Sequence, residues 1–232
     1  MRLHIPEGKL GLVIKMKVSA VIFDLDGTVI ADEDEYGRAF NKVLSELGVD
    51  SGSEYPHIGG IGVEENWRVF LDKYDIKTDK TIEELSLQTQ IEYIKLIPEI
   101  TLKDGFEKFA LELKSSGIKT ALATSNSWDV TEKVFDTLGI QNLFDSITTG
   151  EEVTIKKPSP QIFEIAADKL GVPVEECLVI EDSAAGVEAA NSAGMKVVGI
   201  ARDELQKKSL SESNLIVNSF NDITPSAILK ID

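Results

Sequence analysis

The sequence is short of several residue types, and each shortage excludes a class of protein. It has one cysteine, Cys177, so no disulfide can form within the chain, and we expect a reducing, cytoplasmic location. No apolar run approaches the roughly 20 residues that a transmembrane helix needs. Basic residues are also scarce, because 24 Lys and Arg face 40 Asp and Glu, which gives a formal net charge of -16. This charge repels nucleic acids and anionic membranes, so neither is an expected partner.

The same negative charge restricts the binding of phosphorylated ligands. Any phosphate site in such a chain needs a local cation or lysine to offset the repulsion. The chain has 232 residues, of which 42% are hydrophobic, which is enough for one large domain or one domain with an insert. We expect a monomer that acts on a small molecule.

Residues 1–15 carry a weak structural pattern. A short apolar run at 10–14 lies between Lys9 and Lys15. It is too short and too interrupted by lysine for a signal peptide, so we expect an extension or a peripheral strand. Met16 is an alternative start of the chain, which the sequence leaves open.

Residues 18–28 give the clearest local pattern. The apolar, β-branched run at 18–23 predicts a buried parallel strand. It ends in Asp24 and Asp26, and Gly27 then permits a tight turn before Thr28. Two carboxylates so close repel each other unless a cation or a proton lies between them, and a hard cation such as Mg2+ suits them. An acidic turn after a core strand is the alternative for this stretch alone.

The rest of the chain has two kinds of pattern. Helical periodicity without a strand pattern fills 33–97, and strands alternate with helices after Pro98. Further strands are predicted at 118–123, 146–149, 177–180, 196–200 and 214–217. We therefore predict an α/β fold with a Rossmann-like parallel sheet core, residues 1–32 and 98–232, and an inserted all-helical cap domain, residues 33–97. Hinges are expected near 31–35 and 96–100.

Four polar clusters follow the predicted strands. They are Asp24 with Asp26, Thr124 with Ser125 and Asn126, Lys157, and Glu181 with Asp182. Three lie at strand ends and Lys157 lies on an adjoining loop. Because the carboxyl ends of parallel strands meet at one edge of a sheet, we expect the clusters to converge. A carboxylate nucleophile, a lysine and a cation are together suited to phosphoryl transfer.

The order of these clusters resembles motifs I to IV of the haloacid dehalogenase superfamily. The matching segments are Asp24-Leu-Asp26-Gly-Thr28-Val, Ala-Thr124-Ser125-Asn126, Lys157-Pro-Ser-Pro-Gln-Ile-Phe and Ile-Glu181-Asp182-Ser-Ala-Ala-Gly186. The resemblance covers roughly 18–32 and 98–232. It is strongest to the branch with β-phosphoglucomutase and small-molecule phosphatases, whose helical cap follows motif I.

The resemblance implies catalytic and metal-binding roles. Asp24 is then the nucleophile, and Asp26 is the general acid and later the general base. Mg2+ is held by the carboxylates of Asp24 and Asp182 and by the backbone carbonyl of Asp26. Glu181 is either a further ligand or a group that supports the ligands.

The resemblance also implies a phosphate-binding set of Thr124, Ser125 and Lys157. Lys156 is adjacent to Lys157, but the family lysine directly precedes a proline, which selects Lys157. Asn126 either contacts the substrate or caps the next helix, and both remain open. His57, in the cap, is a further candidate for substrate binding, with a loosely packed histidine as the alternative.

These assignments predict a Mg2+-dependent phosphatase that hydrolyses a small phosphorylated metabolite, with a sugar phosphate as one option, through an aspartyl-phosphate intermediate. A sugar phosphomutase like β-phosphoglucomutase is the first alternative. Such mutases carry an arginine for a second phosphate in a Gly-Val-Ser-Arg-Glu cap loop, and Val63 stands at that place here. Arg68 or Lys73, from the next helical turns, is a possible replacement.

A phosphorylatable binding module like a receiver domain is an alternative of another class. Such modules also use a strand-end aspartate, a hydroxyl residue, a lysine and Mg2+. The Asp24–Thr28 pattern and the helical insert go against this interpretation.

Overall fold

The computed structural model of the chain describes residues 18–52 and 56–231. The expectations for residues 1–15 and for Met16 lie outside the described residues. The strands in the described part are β1 (Ala20–Phe23), β2 (Ile30–Ala31), β3 (Thr101–Leu102), β4 (Lys119–Ala123), β5 (Ser146–Thr148), β6 (Cys177–Glu181), β7 (Lys196–Ile200) and β8 (Leu215–Val217). The α-helices there are α1 (Glu33–Glu46), α2 (Val63–Lys73), α3 (Ile82–Leu96), α4 (Phe106–Ser115), α5 (Trp128–Leu138), α6 (Gln161–Leu170), α7 (Ala184–Ser192), α8 (Glu204–Ser209) and α9 (Pro225–Ile228).

The main sheet is parallel throughout, as predicted. Within the described residues its strand order is β5-β4-β1-β6-β7-β8. Phe23, the last residue of β1, pairs with Leu122 of β4 and with Ile180 of β6. The carboxyl ends of these three neighbouring strands therefore lie side by side, and the residues that follow them share one edge of the sheet.

Strand β1 is buried on both faces, which explains its continuous apolar sequence. Val21 and Phe23 face one core, and Ala20 and Ile22 face the other, with 0% exposure for all four. The ring of Phe23 lies among four other phenylalanine rings at centroid distances of 5.5 to 6.4 Å, those of Phe106, Phe109, Phe144 and Phe220. Such packing fixes the strand, and with it the position of the two aspartates that follow.

The opposite face of the sheet is covered by α6 and α7. Phe163 of α6 and Val187 of α7 belong to the same buried cluster as Ile22. The prediction of a Rossmann-like sheet with helices on both faces is confirmed. Across the described residues, no helix is both long and apolar enough to cross a membrane.

Helices α1, α2 and α3 fill the inserted segment. Phe40, Trp67 and Phe70 pack edge to face between α1 and α2 at centroid distances of 5.1 to 6.0 Å. The indole Nε1 of Trp67 donates to the hydroxyl of Thr89 on α3 at 2.9 Å. The described part of 33–97 contains helices and loops but no strand. The exact bounds of the cap and core domains stay a prediction.

A small antiparallel pair, β2 with β3, was not predicted. Ile30 pairs with Leu102, and Ala31 pairs with Thr101, beside the two expected hinges. Strands of two residues are too short to produce a periodic pattern in a sequence. The pair joins the segments through which the chain enters and leaves the cap, and it fixes the residue that follows β2, Asp32.

Candidate active site

Asp24 lies one residue beyond β1 and continues its pairing with β6. Its backbone N–H donates to the carbonyl of Ile180 at 3.0 Å, which aligns it with the end of β6. Its side chain is buried, and Oδ1 lies 2.5 Å from Nζ of Lys157. Burial raises the pKa of Asp24 to about 7, although Lys157 acts to lower it. The structure thus brings motifs I and III together.

Lys157 also contacts Glu181, so one lysine joins two carboxylates. Its Nζ lies 2.7 Å from Glu181 Oε1, and neither side chain is exposed. Burial acts to lower the pKa of Lys157, but Asp24 and Glu181 outweigh it and raise that pKa above its ordinary value. The other oxygen of Glu181 accepts hydrogen bonds from the N–H and the hydroxyl of Ser183 at 2.6 and 2.8 Å. Both oxygens of Glu181 therefore accept hydrogen bonds within the protein. This favours a role in supporting the metal ligands over a role as a further ligand, the two roles that the sequence left open.

Asp182 is held by partners from two other parts of the chain. Its Oδ1 accepts from the hydroxyl of Thr28 at 3.3 Å, and its Oδ2 accepts from Nε2 of Gln206 at 3.1 Å. Gly27 makes this approach possible, because a Cβ there would overlap the Asp182 carboxylate and its φ is 74°. Gln206 carries no signal in the sequence, since α8 contains no motif and lies far from Asp182 along the chain.

The carboxylates at this edge fit a divalent cation. One oxygen from each of Asp24, Glu181 and Asp182 lies within 4.8 Å of the others. Burial, followed by the charges of Glu181 and Asp24, raises the pKa of Asp182 well above its ordinary value. Lys157 supplies one positive charge to these three groups, so negative charge remains for a hard cation with oxygen ligands to offset.

Asp26 lies beside Asn126 at the same edge. Nδ2 of Asn126 donates to both oxygens of Asp26, at 3.0 and 2.9 Å. Burial, and then the charge of Asp32, raises the pKa of Asp26 well above its ordinary value. This environment favours a protonated carboxyl group, which is the form that a general acid needs.

Asn126 does not cap the next helix, so that alternative was wrong. The N-cap of α5 is Ser127, and the Asn126 side chain turns instead toward Asp26 and the cap. Its Oδ1 accepts from the hydroxyl of Tyr36, on α1, at 2.5 Å. The amide of Asn126 therefore links a tyrosine of the inserted helices to an aspartate of motif I.

The two other motif II residues differ in exposure. Thr124 has 0% exposure, and its hydroxyl accepts from the backbone N–H of Asn126 at 3.1 Å. Ser125 is partly exposed and lines the cavities between the core and the inserted helices. The phosphate-binding roles of both residues stay predictions.

A second contact between the inserted helices and motif I was not predicted. Asp32, with 0% exposure, accepts from the N–H of Gly27 at 3.1 Å and from the hydroxyl of Tyr93, on α3, at 2.6 Å. The rings of Tyr93 and Tyr36 stack at 3.7 Å. Neither the helical periodicity of 33–97 nor the hinge expected near 31–35 indicated these contacts.

Two adjoining cavities lie between the core and the inserted helices. The smaller, about 20 Å³, is lined by both motif I aspartates and by His57, whose ring stacks on Tyr36 at 5.1 Å. Burial lowers the pKa of His57 to about 4, which keeps the ring neutral. The larger cavity, about 280 Å³, shares Gly62, Val63, Ser125 and Asn126 with the smaller one. His57 thus lies beside Asp24 and Asp26, and its role in substrate binding stays a prediction.

Arg68 and Lys73, the two possible replacements for the mutase arginine, do not line these cavities. Val63 lines both. Arg68 instead pairs with Glu64 at 3.9 Å, and Nζ of Lys73 lies 5.0 Å from the ring centroid of Tyr74.

Comparison with known proteins identifies the family. The sequence matches the haloacid dehalogenase-like hydrolases over residues 18–194, which is most of the chain. The chain belongs to this family. Haloacid dehalogenase-like hydrolases are enzymes, so the alternative of a receiver-like binding module was wrong.

Relatives within the family include named phosphatases. A probable pseudouridine-5'-phosphatase of Drosophila melanogaster is 32% identical over 220 residues, covering 90% of this chain and 93% of that protein. The structure of β-phosphoglucomutase from Clostridium difficile is similar with a TM-score of 0.81 and 31% identity, covering 91% of this chain and 95% of that one. A structure of CbbY from Rhodobacter sphaeroides in complex with xylulose-(1,5)bisphosphate is similar with a TM-score of 0.76 and 28% identity. The match covers 88% of this chain and 95% of the CbbY chain.

These likenesses confirm the predicted fold class and the prediction of a phosphoric monoester hydrolase of the haloacid dehalogenase type. The predicted monomeric state and cytoplasmic location stay predictions.

Proposed function

We propose that this hydrolase is a Mg2+-dependent phosphatase that acts on a small phosphorylated metabolite through an aspartyl-phosphate at Asp24. The observation that carries the proposal is the contact of Lys157 Nζ with Asp24 Oδ1 at 2.5 Å, inside a cluster of three carboxylates. This arrangement gives a nucleophile, a fixed cation and a metal-binding edge in one place. Relatives named as phosphatases of small metabolites support it.

In the first step, a carboxylate oxygen of Asp24 attacks phosphorus, and the bond from phosphorus to the leaving oxygen breaks. Asp26 gives its proton to that oxygen, so the alcohol leaves uncharged. The raised pKa of Asp26 supports this role, because it favours the protonated form before the reaction. Lys157 offsets negative charge on the transferring group and orients the Asp24 carboxylate.

In the second step, the ionised Asp26 takes a proton from a water molecule, whose oxygen attacks phosphorus. The bond from phosphorus to Asp24 then breaks, which releases inorganic phosphate and restores both carboxyl groups. Asn126 holds Asp26 through hydrogen bonds to both of its oxygens, so the acid keeps one position in both steps.

Asp24, Asp182 and the backbone carbonyl of Asp26 would hold the Mg2+. The cation supplies positive charge that offsets the repulsion between the phosphate and the Asp24 carboxylate. Glu181 was predicted as a ligand or a supporting group, and its engaged oxygens favour support through Lys157 and Ser183.

A sugar phosphomutase is the second candidate. The similarity to β-phosphoglucomutase from Clostridium difficile favours it. A mutase must hold a bisphosphate intermediate, and Val63, with its acidic neighbours Glu64 and Glu65, stands where such mutases carry the arginine for the second phosphate. Hydrolysis of a phosphate monoester is therefore the function that the site supports best.

The test is release of inorganic phosphate from sugar phosphates, nucleotides and small organic phosphates, with Mg2+ and with EDTA. β-Glucose 1-phosphate is included with and without glucose 1,6-bisphosphate. We expect Mg2+-dependent release that the Asp24→Asn variant abolishes. Bisphosphate-dependent formation of glucose 6-phosphate with little free phosphate would establish the mutase instead.

A further inference from the structure

Helix α8 brings one neutral side chain to the metal-binding edge. Nε2 of Gln206 donates to the backbone carbonyl of Asp182 at 2.7 Å and to its Oδ2 at 3.1 Å. An amide nitrogen carries two N–H donors, so a single group holds both the backbone and the side chain of one residue. The Asp182 carboxylate is therefore kept in the direction of Asp24 and Glu181, each of which has an oxygen within 4.8 Å of one of its own.

The orientation of the Gln206 amide follows from its third contact. Its Oε1 accepts from the backbone N–H of Arg202 at 2.9 Å. A backbone N–H only donates, so the amide oxygen faces Arg202 and the amide nitrogen faces the two oxygens of Asp182. The three hydrogen bonds thus agree on one orientation of the side chain.

The backbone of Gln206 is also fixed within its short helix. Its N–H donates to Oδ1 of Asp203, the N-cap residue of α8, at 2.7 Å. Its carbonyl accepts from the N–H of Leu210 at 3.1 Å, and Leu210 is buried in the core with 0% exposure. The amide therefore reaches Asp182 from a backbone that is anchored on both sides.

The donors to Asp182 differ in charge from the donor to its neighbours. Asp24 and Glu181 both contact the ammonium of Lys157. In the part of the chain that the structure describes, the donors to the Asp182 carboxylate are a threonine hydroxyl and the amide of Gln206, which are both neutral. A neutral donor fixes the direction of a carboxylate without cancelling its charge, so Asp182 keeps the charge that a hard cation requires.

We propose that Gln206 is a positioning residue that sets the affinity of the enzyme for Mg2+ by holding the carboxylate of Asp182 toward the cation. This inference rests on the proposed function, to which the metal belongs. Without the amide, Asp182 samples several orientations, and binding of the cation then has to order it. The cost of that ordering raises the Kd for Mg2+, whereas the chemical step at Asp24 and Asp26 keeps its groups.

The test measures the Kd for Mg2+ without substrate, from the rise in Tm with Mg2+ concentration at constant ionic strength. Gln206→Leu keeps the approximate size but removes both donors, and the Kd should rise about 10- to 100-fold. Gln206→Asn keeps an amide that is one methylene too short to reach Asp182, so it should raise the Kd as well, and it replaces the leucine variant if that variant does not fold. Gln141→Leu, at an exposed position, is the matched control and should keep the wild-type Kd.

A second measurement separates metal affinity from a merely structural role. It follows kcat on p-nitrophenyl phosphate against Mg2+ concentration. In Gln206→Leu the concentration for half-maximal kcat should rise by the same factor as the Kd, and saturating Mg2+ should restore most of the kcat.

Two results would overturn the role of Gln206. One is an unchanged Kd for Mg2+ in both Gln206 variants, and the other is a kcat that stays low in them at every Mg2+ concentration. A wild type that binds Mg2+ but hydrolyses no ester would instead reject the proposed function and leave the role of Gln206 in metal binding intact.

Discussion

At the scale of single residues, the two motif I aspartates differ in their partners. Asp24 contacts an ammonium group, while Asp26 contacts a neutral amide and lies near another carboxylate, Asp32. The ammonium of Lys157 acts against burial and toward a charged Asp24, whereas the charge of Asp32 adds to the burial that favours a protonated Asp26. Two identical side chains, two residues apart, thus acquire different chemistry from their neighbours.

The acid role of Asp26 predicts a dependence on the leaving group. Asp26→Asn should lower kcat on alkyl phosphates by about 10²–10⁴, because the alcohol then leaves without a proton. p-Nitrophenol leaves readily without protonation, so a rapid burst of about one equivalent should remain. Stopped-flow absorbance measures the burst. Wild-type turnover of alkyl phosphates by this variant would reject the assignment.

Lys157 is predicted to matter for stability as well as for catalysis. Lys157→Ala leaves two buried carboxylates without their cation, and such a loss costs about 3 kcal/mol of unfolding free energy. Lys156→Ala removes a partly exposed side chain that donates one hydrogen bond, to the carbonyl of Gly150. It should lower the free energy of unfolding by about 1 kcal/mol or less.

Urea unfolding of both lysine variants in EDTA, where no added cation compensates, measures the difference. A larger loss in Lys156→Ala would show that the assignment of motif III to Lys157 is wrong.

His57 predicts a pH dependence of stability. Burial lowers its folded-state pKa to about 4, with Glu33 acting to raise it and Arg202 to lower it, while an unfolded histidine titrates near 6.5. The unfolded state therefore binds the proton first, and stability present above pH 6.5 is lost as the pH falls toward 4. Between pH 7.5 and 5.5 the loss is about 1.3 kcal/mol.

Urea unfolding of the wild type and of His57→Gln at these two pH values checks this prediction. The variant should lose about 1.3 kcal/mol less than the wild type over the interval. Equal losses in the two proteins would contradict the lowered pKa of His57.

At the scale of elements, the loop before α2 packs directly on the start of α7. Gly60 has a φ of 81°, and a Cβ there would overlap Oγ and Cβ of Ser183. Ser183 cannot move aside freely, because its hydroxyl donates to Glu181 at 2.8 Å and accepts from the N–H of Gly186 at 3.0 Å. The approach of the inserted helices to the core therefore depends on a glycine at this position.

Gly60→Ala should keep this loop away from the core and lower kcat/KM by about tenfold or more, because a catalytic site that does not close retains water and loses positioning. Gly59→Ala is the matched control, since a Cβ at Gly59 meets nothing within 4 Å. Steady-state kinetics, with far-UV circular dichroism to verify folding, distinguishes the two variants. Wild-type kcat/KM in Gly60→Ala would contradict the role of this contact.

At the scale of the whole molecule, the net charge of -16 favours the binding of cations at the site. Buried carboxylates meet at one sheet edge, and Lys157 offsets only part of their charge. Mg2+ binding should therefore stabilise the folded protein. At a Mg2+ concentration of about 100 Kd the gain is about 2.7 kcal/mol, which corresponds to a rise in Tm of roughly 5–10 °C.

Thermal unfolding in Mg2+ and in EDTA, with NaCl added to equal ionic strength, measures this gain. Asp182→Asn should reduce the rise, and Asp129→Asn, on the exposed side of α5, should retain it. The same Tm in Mg2+ and EDTA at every Mg2+ concentration would argue against a metal at this site.

The sequence by itself determined the parallel sheet, the inserted helices and the convergence of Asp24, Lys157, Glu181 and Asp182. These follow from local patterns, because continuous apolar runs produce buried strands and the ends of parallel strands share an edge. Only the tertiary structure decided that Glu181 contacts Lys157 and that the Asn126 amide donates to Asp26. The same holds for the hydrogen bonds from Tyr93 to Asp32 and from Gln206 to Asp182. Those contacts join residues far apart in sequence, and their geometry depends on how whole helices pack, which no local periodicity encodes.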